Sequence, residues 1–140
     1  QTGQYGMVIP TLVRQALQGK PITVYGDGQQ SRCFGHVEDV VHGLVDLMGC
    51  AAARGTIVNL GNEQEVTILE LAKHIRDLAG SDSEIVLVPY EQAYGEGFDD
   101  MRRRVPDLSR ARSLIGYSPT RDLSAILTDV IAYEAIMLQS

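Results

Sequence analysis

Apolar residues recur every three or four positions in three long segments of the chain, which is the spacing of one helix face. They predict helices over residues 8–18, 37–48 and 123–138, the first of which stops at Gly19. Thr67 and Glu70 form a capping-box pattern that starts a fourth helix, over residues 67–79. A short fifth helix over residues 107–114 is stopped by Gly116.

Short β-branched runs alternate with these helices. They predict strands over residues 22–25, 32–36, 56–60 and 84–88, and we expect the third of these to be buried. Residues 90–101 are rich in Gly, Glu and Asp and predict a polar loop. The mixture indicates an α/β (α+β) domain of helices and short strands. No repeat or linker divides it, so residues 1–140 are expected to form one domain.

A glycine turn separates the first two predicted strands. The plain interpretation is a hairpin, because Asp27 and Gly28 supply the positive φ angles that hairpin turns need. The functional interpretation adds a ligand, since glycines let a backbone approach it closely and Tyr25 offers a flat face to a base. The two are compatible. The turn is not a Gly-x-Gly-x-x-Gly dinucleotide motif, because Ser31 stands where the third glycine belongs.

Charge and cysteine content exclude several classes of function. Twelve basic against eighteen acidic residues give a net charge of −6, which argues against a nucleic-acid surface. No apolar run is long enough to cross a membrane. Cys33 and Cys50 form no Cys-x-x-Cys pair, which favours reduced thiols in a cytoplasmic protein. His36, Glu38 and Asp39 are neighbours that point apart at a strand-to-helix junction, so we expect no metal site.

The arginines are the best candidates for binding an anion. Arg32 follows the glycine turn, and a guanidinium grips phosphate oxygens in a bidentate way. Arg102, Arg103 and Arg104 form the one basic cluster, with acidic residues on both sides. The pattern leaves two interpretations open. The cluster is either a solvated loop with internal ion pairs, or one of its arginines reaches a phosphate or ribose.

The order of the motifs resembles the NAD-dependent epimerase/dehydratase family of extended short-chain dehydrogenases/reductases. More narrowly, it is similar to nucleotide-sugar epimerases, dehydratases and UDP-glucuronate decarboxylases. The resemblance rests on residues 8–10, 16–21, 24–28, 32, 36–41, 59–62, 67–70, 99–104, 106–109 and 114–119.

The resemblance covers the carboxyl-terminal half of the enzymes in that family. The other half would carry the glycine-rich turn that binds NAD and a catalytic Tyr-x-x-x-Lys pair. None of the six tyrosines here is followed by lysine four positions on. The resemblance therefore implies a nucleotide-sugar-binding domain, inactive alone, with no NAD of its own and no catalytic residue. The chain begins at Gln1, and we expect a fragment. The alternative is a non-catalytic module that binds a nucleotide or a partner.

The resemblance also assigns contacts with the nucleotide. Arg32 matches an arginine that contacts the diphosphate, and Arg104 matches a second arginine for phosphate or ribose, with Arg103 as its alternative. The remaining assigned residues are Val24 and Tyr25 beside the base, Met7 and Val8 on its other side, and Val66 at a further nucleotide contact.

A fragment would expose the surface that meets the missing Rossmann half. Exposed apolar patches of that kind tend to associate. We therefore expect the isolated chain to self-associate or to form a swapped dimer. A monomeric sedimentation profile at high concentration would count against this expectation.

Overall fold

The computed structural model describes residues 7–89 and 101–139. These residues form five α-helices and five short strands. In chain order they are α1 (Val8–Leu17), β1 (Ile22–Tyr25), β2 (Ser31–Cys33), α2 (Val37–Gly49), β3 (Glu65–Thr67), α3 (Ile68–Leu78), β4 (Ile85–Val88), β5 (Arg103–Arg104), α4 (Ser109–Ile115) and α5 (Leu123–Met137). The predicted α/β class and all five predicted helices are confirmed. Of the predicted loop over residues 90–101, only Met101 lies within the described residues.

The strands form two separate sheets. β1 pairs in parallel with β4, from Ile22 opposite Ile85 to Tyr25 opposite Val88. In the second sheet β2 is central, antiparallel to β3 and parallel to β5. Because β1 and β2 belong to different sheets, the hairpin interpretation of the glycine turn is wrong.

The glycine turn packs against the start of α3 instead of reversing the chain. The Gly28 carbonyl accepts a hydrogen bond from the Leu69 amide at 3.0 Å. Gly28 has a φ of +69°, and a Cβ there would lie 2.9 Å from side-chain carbons of both Val24 and Leu69. Glycine is therefore needed at position 28 for its positive φ and for this close approach.

The main core lies between α1, α3, α5 and β1. Its large fully buried side chains are Leu12, Val13, Ile22, Val24, Leu71, Ile75 and Leu127. A smaller cluster contains Leu108, Ala111 and Tyr117, with Val58 and Leu60 packed against it. The Tyr117 hydroxyl donates to the Gly61 carbonyl at 3.0 Å and accepts from the Gly61 amide at 3.2 Å. Burial raises the pKa of that hydroxyl.

The predicted buried strand over residues 56–60 is wrong. In the part of the chain that the structure describes, no strand pairs with this segment. Ile57 is 84% exposed, and its carbonyl accepts from the Arg110 guanidinium at 2.7 Å. The apolar run alone indicated a strand, but a strand also requires a partner with which to hydrogen bond.

Helix α2 buries one carboxylate and one glycine. Asp39 and Gly43 are buried, Val40 and Leu47 are half-buried, and the other five large apolar side chains are exposed. The exposed set, called the α2 stripe below, comprises Val37, Val41, Leu44, Val45 and Met48. Asp39 anchors the helix, because its carboxylate accepts from the Thr120 amide at 3.1 Å, the Thr120 hydroxyl at 2.8 Å and the Arg121 amide at 3.1 Å. Burial acts to raise the pKa of Asp39, but these hydrogen bonds outweigh it and lower the pKa.

The Asp39 contacts predict a pH-dependent contribution to stability. A carboxylate whose pKa is lowered by folding stabilises the protein above its unfolded pKa, and that contribution is lost as the pH falls through the folded pKa. Asp39→Asn should therefore lower the melting temperature most near neutral pH, with a difference from wild type that shrinks below about pH 4. Asp46→Asn, at an exposed position of the same helix, is the control. A pH-independent effect of Asp39→Asn would contradict this account.

Candidate functional site

Three of the predicted site residues lie side by side on the β3–β2–β5 sheet. Arg32 in β2 stands directly opposite Val66 in β3 and directly opposite Arg104 in β5. Directly opposed residues of neighbouring strands carry their side chains on the same face of a sheet. Residues from positions 32, 66 and 104 thus form one row across three strands. The row brings two guanidinium groups to one surface.

Arg32 is anchored to the backbone beside this row. It is half-buried, and its Nη1 donates to the carbonyl oxygens of Ser31 and Met101, each at 2.7 Å. Met101 precedes β5, so Arg32 ties β2 to the chain that carries Arg104. Arg104 itself is exposed.

Arg103 lies on the other face of the sheet, because successive residues of a strand point in opposite directions. Its Nε lies 3.0 and 3.1 Å from the two carboxylate oxygens of Glu65, and its Nη2 lies 2.6 Å from one of them. The Ser31 hydroxyl also donates to Glu65, at 2.8 Å. The Arg103 guanidinium lowers the pKa of Glu65, and the carboxylate raises the pKa of Arg103. Arg103 is thus paired within the sheet.

Tyr25 and Val24 lie at the end of β1 with different exposures. Tyr25 is 36% exposed, whereas Val24 is fully buried in the core, so its side chain offers no surface to a ligand. Gln30 connects this strand end to β2, because its Nε2 donates to the Tyr25 carbonyl at 3.0 Å. The Gln30 Oε1 is buried and has no hydrogen-bond partner among the residues described. Gln30 lies in a polar loop, and nothing in the sequence marked it as a candidate site residue.

Met7 precedes α1 and Val8 opens it, and this helix packs chiefly against α5, α3 and β1. Met7 is 69% exposed, while Val8 packs against the main core. Of the eight predicted site residues, the structure therefore brings together Arg32, Arg104 and Val66.

The described residues contain neither a cluster of metal ligands nor a glycine turn that leads from a strand into a helix. Within residues 7–89 and 101–139, no three His, Cys, Asp or Glu side chains are placed to hold a metal ion. A dinucleotide site needs a glycine turn that leads from a strand into a helix. Here the glycine turn leads from β1 into β2. Over the same residues, no helix combines the length and apolar character needed to cross a membrane.

Comparisons with known proteins agree with the fold. The NAD dependent epimerase/dehydratase family matches residues 1–61. UDP-N-acetyl-alpha-D-glucosaminuronate decarboxylase of Bacillus cytotoxicus is 41% identical over 117 residues, which are 84% of this chain and 36% of that protein. UDP-glucuronic acid decarboxylase 1 of Danio rerio is 43% identical over 128 residues, which are 91% of this chain and 29% of that protein. The chain belongs to the NAD-dependent epimerase/dehydratase family.

Solved structures support this family membership. UDP-glucuronic acid 4-epimerase from Bacillus cereus, in complex with NAD, superposes with a TM-score of 0.80 at 26% identity, over 94% of this chain and 40% of that one. UDP-glucose 4-epimerase from Thermotoga maritima, with UDP-glucose, gives a TM-score of 0.83 at 26% identity, over 96% and 42%. This epimerase/dehydratase-family chain spans about a third of the length of the curated relatives named above.

Proposed function

We propose that this chain is the nucleotide-sugar-binding part of a longer NAD-dependent enzyme, and that its ligand is a UDP-sugar. The observation that supports this proposal most directly is the pairing of Arg32 with Arg104 across β2 and β5. Support also comes from the relatives, which are named as UDP-sugar decarboxylases and UDP-sugar epimerases and are far longer than this chain. On this proposal the isolated chain binds its ligand weakly and does not turn it over.

The arginine row suits a diphosphate. Guanidinium groups bind phosphate oxygens through paired N–H donors, and two of them on one face match the two phosphates of a nucleotide sugar. Arg32 is already held by two backbone carbonyls, so little ordering is needed when a ligand arrives. We assign Arg104, rather than Arg103, to the ligand, because Arg103 is paired with Glu65 on the opposite face.

Tyr25 and Val66 complete the proposed site. The exposed ring of Tyr25 would cover the base, while Val66, which is buried in the main core, would support Arg32 from the neighbouring strand without facing the ligand. Binding energy from the nucleotide, which does not react, would hold the sugar in place for chemistry elsewhere in the longer enzyme. Because the glycine turn leads from β1 into β2 and not into a helix, we propose that NAD is bound by a part of that enzyme outside this chain.

The α2 stripe supports the proposal that another part of the longer enzyme packs against this chain. Its members recur at helical spacing, and Met48 is 88% exposed. Ile57, in the extended segment that lacks a strand partner, is also exposed. Exposed apolar side chains that cluster on one helix face are typical of an interface. We propose that it packs against the rest of the longer enzyme, and that in the isolated chain it causes self-association.

The test is a titration of the isotope-labelled chain with UDP-glucuronate, UDP-glucose, dTDP-glucose and ADP, followed by NMR because weak binding is expected. The UDP-sugars should shift resonances of β2 and β5 in a saturable way, without conversion to product. ADP, which shares the diphosphate but not the base, should bind less tightly. If no nucleotide shifts those resonances at millimolar concentration, the proposed function is wrong.

A further inference from the structure

Strand β5 is very short. It has two residues, Arg103 and Arg104. The Ser31 amide donates to the Arg102 carbonyl at 2.8 Å, and the Arg32 side chain reaches the Met101 carbonyl. A strand this short depends on side chains to stay in register, since its ladder offers few hydrogen bonds.

Glu65 supplies such a contact across the whole sheet. It lies on β3, and its carboxylate extends over β2 to reach Arg103 on β5. The Ser31 hydroxyl, on the central strand between them, donates to the same carboxylate at 2.8 Å. One carboxylate therefore connects all three strands, on the face opposite Arg32 and Arg104.

We propose that Glu65 is a positioning residue for Arg104. By holding Arg103 on one face of the two-residue strand, Glu65 fixes the neighbouring residue on the other face, beside Arg32. The inference rests on the proposed function, because it assigns Arg104 to the ligand, and it adds a residue that does not itself touch the ligand.

An exposed ion pair is ordinarily expected to contribute almost nothing to the free energy of unfolding. Three features separate the Glu65–Arg103 pair from that case. The contact is bidentate, it is shared with the Ser31 hydroxyl, and it secures a strand of only two residues. Loss of the Glu65–Arg103 pair should therefore reduce the local order of β5 and the affinity for the ligand, and it should have much less effect on global stability.

The experiment compares Glu65→Gln with Glu63→Gln. Glu63 precedes Glu65 by two residues and is also paired with an arginine, Arg112, but that pair joins α4 and not β5. Hydrogen exchange at the Ser31 amide reports the β2–β5 contact, and exchange at the Ile68 amide, which donates to the Gln30 carbonyl at 3.1 Å, serves as the reference. Glu65→Gln should speed exchange at Ser31 by about threefold to tenfold, with Ile68 unchanged. Glu63→Gln should change neither amide.

Ligand affinity is then measured by titration with UDP in the same variants. Glu65→Gln should weaken UDP binding by about threefold to tenfold, and it should have no further effect once Arg104→Ala is present. The double variant Glu65→Arg with Arg103→Glu should restore both protection of Ser31 and affinity, because it reverses the ion pair.

The outcomes separate this inference from the proposed function. If wild type binds UDP and Arg104→Ala weakens binding while Glu65→Gln does not, the inference is wrong and the proposed function stands. If Glu65→Gln weakens binding equally with and without Arg104, Glu65 does not act through Arg104, and the inference is also wrong. If wild type does not bind UDP at all, the proposed function itself fails.

Discussion

Replacement of Arg32 with alanine is expected to weaken UDP binding by about tenfold to a hundredfold, which is the range for losing a charge-assisted hydrogen-bond donor. Arg32 is central in the row with Val66 and Arg104, and its guanidinium also holds the Met101 carbonyl ahead of β5. The substitution removes one phosphate ligand and loosens the strand that carries the other. Arg32→Lys keeps the charge but not the planar fork, and should retain only part of the affinity. Both are measured by NMR titration.

The matched control is Arg102→Ala. Arg102 belongs to the same basic cluster, but its side chain is 85% exposed, and it lies 4.0 Å from an Asp27 carboxylate oxygen. Its loss changes the net charge as Arg32→Ala does, so a general electrostatic effect would weaken binding equally in the two variants. Equal affinity of wild type and Arg32→Ala would remove Arg32 from the site.

The second large effect is expected at Gly43, where Gly43→Ala should lower the free energy of unfolding by about 1–3 kcal/mol. A Cβ at this position would lie 2.8 Å from the Tyr117 ring and 2.9 Å from Leu60 Cδ2. Tyr117 cannot easily retreat, because its hydroxyl is hydrogen bonded to both backbone groups of Gly61. The close packing of α2 against the smaller cluster therefore depends on the absence of a side chain. Urea unfolding measures the loss.

Gly49→Ala provides the comparison within the same helix. No atom lies within 4 Å of a Cβ built at Gly49. Replacing a helical glycine with alanine at an open position stabilises a protein by up to about 1 kcal/mol. The two substitutions should thus change stability in opposite directions. If Gly43→Ala proves as stable as Gly49→Ala, the described packing of α2 on Tyr117 is incorrect.

The helices were predictable because their signals are local. The Thr67–Glu70 capping box is present as predicted, with both reciprocal hydrogen bonds formed, and Gly116 ends α4 in the left-handed conformation. Strands depend on partners far along the chain, which explains two wrong strand predictions and the failure to predict β3 and β5. Residues 56–60 have the composition of a strand but no partner among the described residues, and the glycine turn packs on α3 in place of forming a hairpin.

The residues of the proposed site could be named from the sequence, but their arrangement could not. Arg32 and Arg104 came from the resemblance to the epimerase/dehydratase family, while their direct opposition across two parallel strands is a matter of register that the sequence does not encode locally. The choice between Arg103 and Arg104 depends on Glu65, which is separated from them by nearly forty positions. The burial of Asp39 and Gly43 in α2, with five of its apolar side chains exposed, was likewise not evident from the sequence.

The most direct test of the central claim compares binding of UDP and uridine to wild type and to the double variant Arg32→Ala with Arg104→Ala. If the two guanidinium groups hold the diphosphate, wild type should prefer UDP over uridine by at least about tenfold. In the double variant that preference should almost vanish, with the affinity for uridine unchanged. An undiminished preference for UDP in the double variant would contradict the account.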